Sequence, residues 1–213
     1  MSTGLLQDRP RAGGALGGGP PVLDPGDGGP GDRAPGFVAD VRLFGLLAFL
    51  GTVSMLFIGF TSAYMIRRAS YDWRPLAAPA ILWWNTAALV ASSLALEVAR
   101  KRLREWDPRG LVPWMAATGF LGLVFLAGQV GAWRTLAARG VFLASNPHSS
   151  FFYVLTGMHG LHLVGGLFWF AVVLGQVRRL ALTPGEDGLR LFATYWHFLA
   201  GLWVYLLVLL FVL

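Results

Sequence analysis

The chain has 213 residues, 55% of them hydrophobic and only 13% charged, roughly half the 25% typical of a soluble domain. That balance excludes an ordinary soluble globular protein and points to a membrane protein. A formal charge of +6 would suit a nucleic-acid binder, but the basic residues fall between apolar runs rather than in a stripe, and the absence of cysteine excludes disulfides, thiolate metal sites and thiol catalysis.

Residues 1–36 hold 11 Gly and 6 Pro among scattered Asp and Arg. Such a segment cannot bury enough apolar surface to offset its ordering entropy, so a flexible tail is expected. It has no apolar core of the kind a signal peptide needs. Five hydrophobic spans follow, at about 41–66, 79–99, 113–133, 149–177 and 190–213, each near the roughly 20 residues that cross a bilayer. Arg67-Arg68, Arg100-Lys101-Arg102 and Arg178-Arg179 close the first, second and fourth. Pro79 and Pro113 open the second and third, where a missing N–H is not needed. The connecting loops leave no room for another domain. The expected fold class is all-α, with residues 37–213 forming one integral membrane bundle of five transmembrane helices.

Of the 17 Lys and Arg, 12 lie in the segment through Arg42, the 100–112 loop and the 178–190 loop, and 5 in the 67–78 and 134–148 loops. The positive-inside rule then places the N-terminus in the cytoplasm and the C-terminus outside. Trp83, Trp84, Trp114 and Trp133 lie near span ends and read as interfacial anchors.

The fourth span carries the polar residues that any functional reading must explain. His159 and His162 are three apart and share a helix face, making a polar stripe with Thr156. Histidine inside a membrane is expensive and implies a specific partner. Gly157, Gly160, Gly165 and Gly166 allow a neighbouring helix or ligand to come close. His148 lies in the preceding loop and reads as a solvated or interfacial histidine. His197 sits about two turns into the fifth span. A haem held by His162 and His197 would need ligands at equal depth, yet the two differ by roughly 12 Å at 1.5 Å per residue. A zinc site lacks cysteine and an intramembrane carboxylate. Asp40 and Glu97 lie at cytoplasmic ends beside Arg42 and Arg100 and read as interfacial charges, so a proton or ion path is weakly supported. The histidines are instead expected to hydrogen-bond to neighbouring helices, lipid head groups or a partner.

Asn146-Pro147, Ser149-Ser150-Phe151-Phe152, Leu155-Thr156-Gly157, His159-Gly160-Leu161-His162 and Gly165 occur in the order and spacing of one family's signature helix. Gln129 and Trp133 match its Gln-x-x-x-Trp element. Tyr195-Trp196-His197-Phe198 with Trp203 matches its final-helix motif. Asn85-Thr86 with Ser92-Ser93, and Phe49-Leu50, Met55-Leu56-Phe57, Gly59 and Ala63-Tyr64, match its earlier helices. Over about residues 40–213 the chain resembles subunit III of the haem–copper cytochrome c oxidases, in a short five-helix form. The resemblance implies a non-catalytic companion of the catalytic subunit I, with subunit II and a small subunit IV as further partners. It implies phospholipid between the helices, no cofactor in this chain, and haem and copper in the partner subunits. The complex passes electrons from cytochrome c, or from quinol in related members, to oxygen while moving protons. Thr156, Gly157, His159, Gly160, His162, Gly165, Trp196 and His197 become candidate lipid- or subunit-packing residues, and the bacterial inner membrane the expected location.

The chain departs from the family pattern in three ways. Val53 stands where many members carry glutamate, and Ala200 where many carry aspartate. The longer members have seven spans, and this chain corresponds to the last five, so one wall of their lipid cleft is missing or supplied by another subunit. Alternatives are a subunit-III-like protein of a quinol oxidase or nitric oxide reductase system, or a small haem-binding membrane electron carrier.

Overall fold

The computed structural model describes residues 35–76, 78–178 and 187–212, with side chains of residues 35–40, 108 and 187 left aside. The expected tail over 1–36 therefore lies outside the described residues except for its last two positions, which belong to the first helix. The side chain of Asp40, and Arg179, also lie outside them. Five helices form: α1 Pro35–Arg68, α2 Ile81–Arg104, α3 Pro108–Ala138, α4 Pro147–Arg178 and α5 Asp187–Phe211. All five are long and apolar enough to cross a membrane. The shortest has 24 residues, about 36 Å at 1.5 Å per residue, against roughly 30 Å of hydrocarbon.

The helix ends differ from those expected from hydropathy, because backbone capping sets them. α2 runs past Ala99 through its basic residues to Arg104, where cations favour the negative end of the helix dipole. It then closes with Trp106 N–H donating to Leu103 O and Asp107 N–H to Arg102 O, at 3.1 and 3.0 Å. This double closure needs a left-handed residue at its hinge, normally glycine. Here Trp106 takes it, at φ 56°. Asp107 at once caps α3, its Oδ1 accepting from Gly110 N–H at 3.1 Å. α3 therefore starts at Pro108, and Pro113 lies inside it rather than opening it. Its far end closes in the same way on Gly140, at φ 74°, with Gly140 N–H to Ala137 O and Val141 N–H to Leu136 O. Pro79 precedes α2, and its carbonyl accepts from Leu82 N–H at 3.0 Å.

Among the described residues, α2, α3, α4 and α5 close a ring: α2 packs on α3, α3 on α4, α4 on α5, and α5 back on α2. α1 stands outside that ring and packs only on α4 and α5. Phe125, Phe152, Leu163, Phe192, Trp196 and Trp203 fill the ring's interior. Within lipid, helix pairing has no hydrophobic drive and rests on close packing and interhelical hydrogen bonds. Two tryptophans of α5 make such bonds to α2. Trp196 Nε1–H donates to Ser92 Oγ at 3.0 Å, and Ser92 passes the chain on to Thr118 O of α3 at 2.9 Å. Trp203 Nε1–H donates to Thr86 Oγ1 at 3.0 Å. The outer face of α1 exposes Phe44, Met55, Ile58 and Ile66.

Candidate functional site

α4 turns Phe152, Thr156, His159, Leu163, Gly166 and Phe170 into the ring. Their three- and four-residue spacing is that of one helix face. Thr156 sits at the α3 seam, donating to Phe152 O at 2.6 Å and accepting from Trp133 Nε1–H at 3.1 Å. Trp133 is thus an interhelical hydrogen-bond donor rather than a free interfacial anchor. Trp83 and Trp84 are exposed, as expected of anchors.

The expected stripe of Thr156, His159 and His162 divides in two. His159 lies fully inside, 0% exposed, its ring 5.3 Å from that of Trp203 and 5.8 Å from that of Phe125. Neither of its ring nitrogens has a hydrogen-bond partner. His162, about 60° further round the helix, is half-buried beside α1. Its ring lies 5.9 Å from that of Phe57, and its Nδ1 is 2.7 Å from Met158 O on its own helix. Tyr195 Oη–H reaches the His162 carbonyl at 2.8 Å, locking α5 to α4.

The glycines also divide. At Gly166 an added Cβ would stand 2.9 Å from the Tyr195 ring, so α5 side chains pack directly over that glycine. Gly157 makes an ordinary 3.9 Å contact with Trp133, whereas Gly160 and Gly165 face open space. Those two lie beside exposed Leu161, Val164 and Phe168 on α4. The face they form is available to something outside this chain.

His197 projects from α5 to α2, with Nε2 2.6 Å from Glu97 Oε1, and the same oxygen accepts from Arg100 at 2.6 Å. Glu97 is therefore half of an interhelical pair, not merely a charge beside Arg100. Val90, Ser93, Leu94, Ala200, Gly201 and Val204 continue this seam as an open groove of about 250 Å³.

His148 corrects the sequence reading most. It occupies the second position of α4 and is 2% exposed. Leu76 N–H donates to its Nδ1 at 2.7 Å, which leaves Nε2 to carry the proton and donate to Leu210 O at 3.0 Å. One neutral ring thereby ties the segment before α2 and the end of α5 to the start of α4. Its partners lie 72 and 62 residues away in sequence, so no local signal marks it. Among the described residues no three of His, Cys, Asp and Glu converge on a point where a metal could sit.

Residues 36–213 match the family model for cytochrome c oxidase subunit III. A cytochrome c oxidase subunit 3 from Thermostichus vulcanus is 35% identical, covering 82% of this chain and 88% of the relative. The chain belongs to the cytochrome c oxidase subunit III family. A second such relative, from Synechocystis sp., is 34% identical over 82% of this chain and 76% of its own length. A cytochrome bo(3) ubiquinol oxidase subunit 3 from Pseudomonas putida is 25% identical over 77% and 82%.

The subunit III motifs now have places in the fold. The signature helix is α4, the Gln-x-x-x-Trp element is the α3 stripe facing it, and the Trp196 and Trp203 motif is the face of α5 that fills the ring. The two departures from the family's acids are both buried. Val53 is 3% exposed, one turn from Phe49 and one from Phe57, whose rings face Tyr195 and His162. Ala200 lines the groove beside Glu97 and His197.

Proposed function

We propose that this chain is the accessory, non-catalytic subunit III of a haem–copper cytochrome c oxidase, and that it holds its place in the complex through the outer faces of α1 and α4. The observation that carries the reading is the family match over residues 36–213, which spans every transmembrane helix. Support for the docking face comes from Gly160 and Gly165, which meet nothing within the chain although they flank the family's signature histidines. A catalytic subunit I, or a phospholipid lying between the two chains, fits such a small-residue face, because close backbone approach is what drives association in lipid. Subunits II and IV complete the complex, and haem and copper reside in the partners.

The reading sets the chain in a bacterial inner membrane, and the Lys and Arg distribution supports a cytoplasmic side for the N-terminus of α1 and for the α2–α3 turn. A quinol oxidase is the second reading, favoured by the ubiquinol oxidase relative. Purification of the chain in mild detergent, with identification of the co-purifying chains and assay with reduced cytochrome c and with quinol, separates the two. A catalytic subunit that oxidises cytochrome c is the expected companion. A companion that oxidises only quinol supports the second reading, one that reduces nitric oxide supports a reductase system, and no haem–copper companion at all removes the proposal.

A further inference from the structure

Of the side chains with buried, unpaired polar atoms, three lie at one level of the helix ring. His159 on α4 lacks a partner at both ring nitrogens, Gln129 on α3 at both amide atoms, and Asn85 on α2 at Nδ2. They are 0%, 2% and 4% exposed. Cross-helix contacts fix the level. Phe125, Gln129 and Trp133 follow at four-residue intervals on the face of α3 that meets α4. Phe125 touches the His159 ring and Trp133 bonds Thr156, three residues earlier. Gln129 therefore lies between those contacts, at the level of residues 156–159 on α4. Asn85 packs against Gly128, the neighbour of Gln129, so closely that an added methyl there would overlap Asn85 Oδ1. Thr86 bonds Trp203, and Trp203 stacks on His159, which brings α2 and α5 to the same level.

A buried donor or acceptor without a partner forfeits its hydration, most severely in hydrocarbon, so native interiors satisfy nearly all of them. None of these groups reaches a direct partner, and a bridging water is the usual solution for buried polar groups that share one level of a packed interior without bonding one another. Internal waters typically make about three hydrogen bonds to such groups. The three side chains together offer neutral donors and acceptors and no formal charge. That suits water and not an ion. The hydroxyl of Thr156 and the indole N–H groups of Trp133 and Trp203 are already committed.

We infer that Asn85, Gln129 and His159 form an internal water-binding site in the middle of the α2–α5 ring. The water joins three helices that share few direct polar contacts at this level. It gives the His159 ring nitrogens the partner they lack within the chain. The site is a property of this chain alone and does not depend on which oxidase the chain serves.

The test uses the full chain, with isotope-labelled histidine, in lipid bilayers and solid-state NMR. The His159 imidazole signals are assigned by their loss in His159→Phe. The expected result is a cross-peak between the His159 ring N–H and water protons that persists when bulk water is frozen out or exchanged slowly. Gln129→Leu should weaken that cross-peak or abolish it. A through-bond coupling from His159 directly to the Gln129 amide, or a ring with no water contact, overturns the site. The wild-type measurement decides even if a variant fails to fold. Stability gives an independent reading: Gln129→Leu with His159→Phe should destabilise less than the sum of the two single changes, because each single change leaves its former partner buried alone. Strict additivity would contradict a shared water.

Discussion

Replacing His148 by Phe keeps a ring of similar size in contact with Tyr64, Trp73 and Phe211. What it removes are the two bonds to Leu76 N–H and Leu210 O. Leu76 precedes α2 in an irregular segment, and Leu210 lies in the last turn of α5, where carbonyls lack intrahelical donors. Each group left unpaired costs about 1–3 kcal/mol, and the site lies near a membrane face where water relieves part of that. The expected destabilisation is about 2 kcal/mol in total, roughly a 30-fold shift toward unfolded chain. Thermal unfolding of the full chain in micelles, followed by tryptophan fluorescence, measures it. His148→Gln offers an acceptor and donors and should recover part of the loss. If His148→Phe unfolds at the wild-type midpoint, the clasp contributes nothing and the reasoning fails.

Gly128→Ala should cost about 1–3 kcal/mol, because its methyl overlaps buried Asn85; the same unfolding assay reads it, and a neutral outcome means Asn85 can move aside. Gly160→Leu should leave the isolated chain as stable as wild type, since nothing in the chain lies within 4 Å of the added carbon. In the purified complex the same change should reduce retention of the chain or of bound phospholipid, seen by native mass spectrometry, while Ala116→Leu on the exposed side of α3, away from that face, should not. Single cysteines introduced as Trp106→Cys and Ser145→Cys should label from opposite sides of the membrane, the first from the cytoplasm. Labelling from one side contradicts the five-span topology, and exchange of the two sides contradicts the orientation.

Much of the fold was legible in hydropathy. The five apolar runs and their basic ends located every helix, because a spanning segment must be long, apolar and internally hydrogen-bonded. Their ends were not legible, since they depend on capping geometry. The left-handed Trp106 and the Asp107 cap move the start of α3 five residues before Pro113. Nothing in composition foretells a tryptophan taking a glycine's conformation. The signature helix stood out as a run of His and Gly in an apolar segment, yet periodicity alone joined His159 and His162 in one stripe. Only the position of α1, outside the ring, separates a buried His159 from a half-exposed His162. The Glu97–His197 pair and the Trp196–Ser92–Thr118 chain join residues about 100 and 26 positions apart. Such pairings are set by helix order, which one sequence does not display.

The central claim is that this chain supports a redox complex without holding a redox centre. Its most direct test compares the purified oxidase with and without the chain, measuring haem per catalytic subunit, the haem absorption spectrum, and oxygen consumption from the first turnovers to inactivation. An accessory role predicts equal haem content, an unchanged spectrum and a near-normal initial rate, with activity decaying faster when the chain is missing. Loss of a haem band together with this chain, while the other subunits keep their stoichiometry, would contradict the account.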